Sequence, residues 1–312
     1  MRIAMYAMDV GPYGNLEMMA KEAEKLGHAV KIVGKQPLGD TNLFDPLPDV
    51  LFTGLSSFKN GEEIALGQVA KEHKTSWMVL ADTHRAWARP AAKGKVADAI
   101  LAIATTDEIE DAKEFGYGWI KYFGGPPKWQ EFPNIKPLPD LSGPTDKLIL
   151  VGGIKDAMLT DRMLEKVVDA SNSLFGRSWE LIFKPHPAED EATRNGQRRA
   201  NILVRTWLTN IPGSSTSLLA SVDLSVFTGG ATDTIACAYL RKPCIFYEDA
   251  DIRARNDKQL GEPTWYPAEV GACAKATPET MRDVMMRLLT EKGAQELKKM
   301  QEKIYPLEPQ AE

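Results

Sequence analysis

Short apolar, β-rich runs alternate with longer helical stretches along most of this chain, and that alternation leaves few folds open. Arg2 to Met8 reads as a strand buried on both faces, and Asn15 to Leu26 carries helical apolar spacing that Gly27 stops. Strands follow at 29–33, 49–54, 77–81, 99–104 and 119–123, with helices at 62–73 and 107–115 between them. Gly11-Pro12-Tyr13-Gly14 reads as the turn between the first strand and the first helix. Strands that recur in this way between helices build a parallel sheet covered on both faces.

The alternation breaks once and then restarts. Five of the 20 prolines fall between 126 and 139, behind Gly124-Gly125, where neither a helix interior nor a central strand tolerates them. Residues 124–145 therefore read as an interdomain linker, between an amino-terminal unit over 1–123 and a carboxyl-terminal unit over 146–312. In the second unit strands are expected at 147–151, 179–183, 202–204, 223–227 and 244–247. Helices are expected at 159–174, 189–200, 215–221, 231–240, 278–289 and 294–304. The fold class that follows is α/β, with two Rossmann-like βαβ domains.

Composition narrows the function. The 312 residues carry 38 basic and 43 acidic side chains, a formal charge of −5, and 43 % of them are hydrophobic. The first 140 residues hold 16 basic and 19 acidic groups, so neither half is a polybasic nucleic-acid or membrane module by net charge. Cys237, Cys244 and Cys273 are odd in number and lack CxxC spacing, which reads as small buried residues in a reducing compartment. Asp9 interrupts the apolar amino terminus before a signal core forms, and no apolar run reaches the ~18–20 residues of a membrane helix. The sequence thus predicts a cytoplasmic protein. The tryptophans at 119, 129, 179, 207 and 265 read as core or rim packing rather than as an acceptor platform.

In an open parallel sheet, ligands bind beyond the carboxyl ends of the strands. Four such loops are chemically loaded: Asp9 to Asn15, Asp82-Thr83-His84-Arg85, Lys184-Pro185-His186-Pro187 and Thr228-Gly229-Gly230-Ala231-Thr232-Asp233. In the last, two glycines admit close backbone approach and the helix start offers free N–H groups to phosphate; a plain capped turn reads equally from the loop alone. Prolines around His186 present an imidazole stiffly, with Lys184 adding a cation, a pairing that suits a diphosphate. The four histidines, 28, 73, 84 and 186, have no paired ligand spacing, which argues against zinc and leaves a loosely held Mg²⁺ open.

FKPHP at a strand end, followed by DLSVFTGGATDTIACAYLRKPCIFY, resembles the carboxyl-terminal half of GT-B glycosyltransferases and UDP-N-acetylglucosamine 2-epimerases, in particular the capsule-polysaccharide and CDP-glycerol-type transferases. That resemblance implies two domains facing each other across a cleft, which closes over the 124–145 hinge. It implies a transferase that moves a sugar from a nucleotide-diphosphate (or CMP) sugar, most readily a UDP-sugar, to a hydroxyl acceptor, with no further cofactor. Carried over by position, Lys184 and His186 face the donor phosphates, and Thr228, Gly229, Gly230, Ala231 and Thr232 form the phosphate loop. Asp233 stands where the epimerase pattern has its ribose-binding acid, and Arg253 and Arg255 follow as candidates to neutralise the diphosphate. For the base, Asp82 and His84 rank first and Asp9 second. A UDP-sugar 2-epimerase and a non-catalytic nucleotide- or sugar-binding protein remain the alternatives. A glycan, a small molecule and a modified nucleobase all stand as acceptors.

Overall fold

A computed structural model describes residues 1–39, 41–55, 61–90, 92, 95–138, 147–173, 179–186, 206–207, 215–229 and 232–307. The chain divides into two units. One comprises residues 1–131 with 258–261, and the other 132–257 with 262–312.

The first unit is a six-stranded parallel sheet made of β1 (Arg2–Ala7), β2 (Ala29–Gly34), β3 (Val50–Thr53), β4 (Ser76–Leu80), β5 (Ile100–Ile103) and β6 (Trp119–Tyr122), in the order β2-β1-β3-β4-β5-β6. Side chains alternate across it, as a period of two requires. Ile3, Met5 and Ala7 pack with Leu16 and Ala20 of α1 (Val10–Lys25) on one face. Ala4 and Tyr6 pack with Leu66 and Ala70 of α2 (Gly61–Glu72) on the other, together with Ala112 of α3 (Ile109–Glu114). Each fully buried leucine in these layers contributes about 1.5–3 kcal/mol.

One boundary departs from the sequence expectation. Helix α1 begins at Val10, straight after the strand, so Gly11, Pro12 and Gly14 are helical rather than a turn. Pro12 falls in the first turn, where its missing N–H has no intrahelical acceptor to lose. Gly54 permits the close seating of this turn on β3, because a Cβ there would stand 2.4 Å from Pro12.

The second unit repeats the plan with β7 (Lys147–Gly152), β8 (Trp179–Lys184), β9 (Thr206–Trp207), β10 (Leu224–Phe227), β11 (Cys244–Tyr247) and β12 (Ala274–Ala276), ordered β12-β11-β10-β7-β8-β9 and parallel throughout. Ile149, Val151, Leu224, Val226 and Ile245 form its core with α4 (Ala157–Asn172) and α9 (Met281–Leu288). Among the described residues the other helices are α5 (Ser215–Ser221), α6 (Asp233–Tyr239), α7 (Ala250–Leu260), α8 (Tyr266–Glu269) and α10 (Glu291–Ile304). All three cysteines are buried with free thiols, and Cys244 and Cys273 lie 3.2 Å apart, sulfur to sulfur.

Within the expected linker, residues 127–134 form a 3₁₀ helix and 139–146 lie outside the described residues. The expected helix at 189–200 and strand at 202–204 lie outside them as well. Among the described residues no helix is long and apolar enough to cross a membrane.

Candidate functional site

Both sheets reverse their strand order once, and the crevice that open α/β sheets offer to ligands lies at the carboxyl ends of the two strands flanking such a reversal. In the second unit those strands are β7 and β10, with β8 beside β7. Three backbone loops meet there. Gly153 follows β7 and its amide donates to the Lys184 carbonyl at the end of β8 (2.8 Å). A Cβ on Gly153 would stand 3.2 Å from the His186 amide nitrogen, so the glycine lets the Lys184–His186 strand end lie close. Gly229 follows β10 at φ +64°, a left-handed conformation that favours glycine. Its missing side chain would sit 2.8 Å from Nη1 of Arg255 and 3.2 Å from Ile154.

The charges around this crevice come from four elements. Burial pushes the Lys184 ammonium below its usual range, while the Asp233 carboxylate at the start of α6 draws it back up. Burial likewise lowers Arg255, on α7, against the support of Asp156; a guanidinium stays charged regardless. Asp156 caps α4 by accepting from the amides of Met158 (3.1 Å) and Leu159 (3.2 Å). Two half-buried cations therefore flank a glycine loop at the strand ends, an arrangement that can hold a polyanion by charge and by backbone N–H donors.

Not every residue expected here serves the crevice. The Thr228 hydroxyl is buried and donates to the Tyr247 carbonyl (2.7 Å), so it ties β10 to β11 instead of facing a ligand. Arg253 turns to Glu248, a buried carboxylate 3.4 Å away that also accepts from Thr264 (3.0 Å) and faces Lys275 (3.5 Å). Thr232 is exposed ahead of α6, without a side-chain cap. Gly230, Ala231 and Pro187 lie outside the described residues.

In the first unit the order reverses between β1 and β3. Asp9 is the N-cap residue of α1 there, without a side-chain cap bond. Asp82, beyond β4, reaches the same helix start: a Cβ on Gly11 would stand 2.9 Å from its Oδ2. Its Oδ1 is buried without a hydrogen-bond partner, as is the hydroxyl of Thr83 next to it. Burial pushes the Asp82 carboxyl above the usual range, the charges of Arg89 and Lys128 oppose that, and Asp9 adds to it. Neither Arg89 nor Lys128 carries a sequence signal, since both reach Asp82 only through the fold.

His84 stands in a different setting from the one its loop position suggests. Its side chain is wholly buried, 3.5 Å from Glu108 Oε1 and tilted against the Trp129 ring at 5.3 Å between centroids. Glu108 also accepts from the amides of Arg85 (2.7 Å) and Thr105 (3.0 Å), the Trp87 indole (2.8 Å) and the Thr105 hydroxyl (3.0 Å). Burial pushes Glu108 up, but His84 and these donors outweigh it and hold the carboxyl below its ordinary range. His84 is thus an interior partner of a buried carboxylate that fixes the Asp82–Arg85 loop. Glu108 escaped the sequence reading because an acid in a first helical turn resembles any solvated one.

Among the described residues no three His, Cys, Asp or Glu side chains converge as a metal cage. No protein-family model matches the chain, and no curated protein is similar to it in sequence. Solved structures do match it over nearly its whole length. The glycosyltransferase SnogD from Streptomyces nogalater is 14 % identical, with a TM-score of 0.55 over 98 % of this chain and 96 % of that one. A UDP-N-acetylglucosamine 2-epimerase is 12 % identical, with a TM-score of 0.56 over 96 % and 90 %. S. aureus MnaA, solved with UDP, is 11 % identical, with a TM-score of 0.63 over 99 % and 93 %. At such identities the likeness shows the fold: the chain has the two-domain α/β fold of GT-B glycosyltransferases and UDP-N-acetylglucosamine 2-epimerases.

Proposed function

We propose that the protein is a glycosyltransferase that uses a nucleotide-sugar donor, a UDP-sugar first among them. The observation that carries this reading is the meeting of Gly153, Lys184, Gly229 and Arg255 at the β7/β10 strand ends. A diphosphate needs backbone donors and cations at close range in a partly dehydrated place, and these residues supply both. His186 donates to the same phosphates, and Asp233 takes the ribose hydroxyls. Fixed donors aimed at the phosphates favour the charge that grows on the leaving diphosphate.

In the transfer itself the acceptor oxygen bonds to the anomeric carbon as the bond from that carbon to the phosphate oxygen breaks. The diphosphate leaves with the electron pair, and the acceptor proton passes to Asp82. A carboxylate whose affinity for protons is raised by burial suits that task better than an exposed one. His84, paired in the interior, holds the loop that carries Asp82.

The 2-epimerase reading shares the donor crevice and draws on the same fold. Incubation with UDP-N-acetylglucosamine separates the two. The transferase reading expects no epimerised sugar without an acceptor, and a glycosylated product once a suitable hydroxyl compound is added. Epimerisation of the donor alone would replace it with the epimerase reading.

A further inference from the structure

The donor chemistry leaves three buried thiols unused, and two of them face each other. Cys244 opens β11, and Cys273 stands one residue before β12. The register pairs Ile245 with Ala274, so Cys244 and Cys273 are aligned one step back on neighbouring strands. Parallel neighbours run about 4.8 Å apart, within the roughly 4.4–6.8 Å between Cα atoms that a disulfide spans. The two sulfurs lie 3.2 Å apart, with the Cys273 thiol donating to Cys244. A bond between them needs little backbone movement.

One member of the pair borders a cavity. A pocket of about 250 Å³ opens beside β12, between the ends of α8 and α9 and the first turns of α10. Its rim is the exposed Lys275, Arg287 and Glu296, and Cys273 lies in its wall with Leu288 and Leu297. All three cysteines are buried, which shuts out bulky reagents and admits only an oxidant little larger than water. Burial pushes the thiols of Cys237, on α6, and Cys244 well above their usual range, which keeps both protonated. Cys273, on the cavity wall, is therefore the thiol that meets the oxidant first.

We propose that Cys273 and Cys244 form a peroxide-reactive pair, with Cys273 the attacking thiol and Cys244 the resolving one. The Cys273 sulfur gives up its proton and attacks one peroxide oxygen as the O–O bond breaks. Hydroxide leaves and takes up that proton as water, while the sulfur is oxidised to a sulfenic acid. The Cys244 sulfur then attacks the Cys273 sulfur, the S–O bond breaks, and the departing hydroxide takes the Cys244 proton. Two thiols and one peroxide thus give one disulfide and two waters. The pair sits at the amino-terminal ends of its strands, away from the crevice at the carboxyl ends, so its reaction is independent of the donor chemistry.

The experiment treats the folded full chain with hydrogen peroxide, alkylates the remaining thiols and maps disulfides by mass spectrometry. Trypsin puts each cysteine in its own peptide, because Arg241 and Arg253 lie between them. A peptide pair joining Cys244 to Cys273 should rise at least tenfold over untreated protein, with an unchanged circular dichroism spectrum. Cys244→Ser should leave Cys273 as a sulfenic acid that dimedone captures, and Cys237→Ser should leave the Cys244–Cys273 link intact. No link, a link from Cys244 to Cys237, a link between chains, or one that forms only after unfolding in guanidinium overturns the proposal. The wild-type map alone decides among these outcomes, even where a serine variant fails to fold.

Discussion

Arg255 lies directly over Gly229, so that any side chain at position 229 would meet its guanidinium at 2.8 Å. Its φ of +64° is what requires glycine, and an added Cβ would also move the arginine tip. Gly229→Ala should therefore cost about 1–2 kcal/mol of backbone strain and displace the arginine as well. The expected result is a nucleoside diphosphate affinity at least tenfold weaker, measured by titration calorimetry, in a protein that still folds.

Asp82 should set the acid limb of the transfer reaction. Its folded-state affinity for protons is raised, so kcat/KM should fall as pH drops through that raised value. Asp82→Asn should lower turnover by roughly 10²–10⁴-fold and flatten that limb, with donor affinity unchanged.

The same shift has a consequence for stability with the opposite slope. Between about pH 3.9, where an unfolded aspartate titrates, and the raised folded value, the native state holds the proton longer. Stability contributed by this site is therefore full at low pH and declines as pH rises across that window. Thermal melts over a pH series should show that decline in the wild type and lose it in Asp82→Asn.

Glu108 should behave in the reverse sense. Its carboxyl is held below the ordinary range in the folded state, so its contribution is present above about pH 4.3 and is lost as pH falls through the lowered value. Glu108→Gln replaces the charged acceptor of the Arg85 and Thr105 amides and the Trp87 indole by a neutral amide and should cost about 1.5–3 kcal/mol. Denaturant titrations at neutral and acid pH check both statements, because the difference between variant and wild type should shrink on acidification.

Much of the fold was legible because buried parallel strands read as unbroken apolar runs, as in Leu148 to Val151 and Leu224 to Phe227, which are buried throughout. The misses have physical causes. Strand β12 is three residues with a lysine at its centre, too short for any pattern. Helix α7 buries only Ile252 and Asn256, so it lacks an apolar stripe, although it carries Arg255. The start of α1 reads as a turn because Gly-Pro-Tyr-Gly obeys turn chemistry, and only its seating on β3 makes it helical.

The sites divide along the same line. Loops at strand ends were visible as loops, so Lys184, His186, Gly229 and Asp82 could be placed at strand ends from the sequence. Which way some side chains turn depends on neighbours far along the chain. Thr228 turns to Tyr247 and His84 to Glu108, pairings that no local pattern encodes, while Arg253 turns to Glu248 only five residues back.

Titration of UDP into the wild type and into Arg255→Ala asks whether the β7/β10 crevice holds a diphosphate before any question of acceptor arises. One UDP should bind per chain, and Arg255→Ala should weaken it at least tenfold while the melting temperature stays close to that of the wild type. No binding of UDP or of any other nucleoside diphosphate, or equal binding by both proteins, would contradict that diphosphate site.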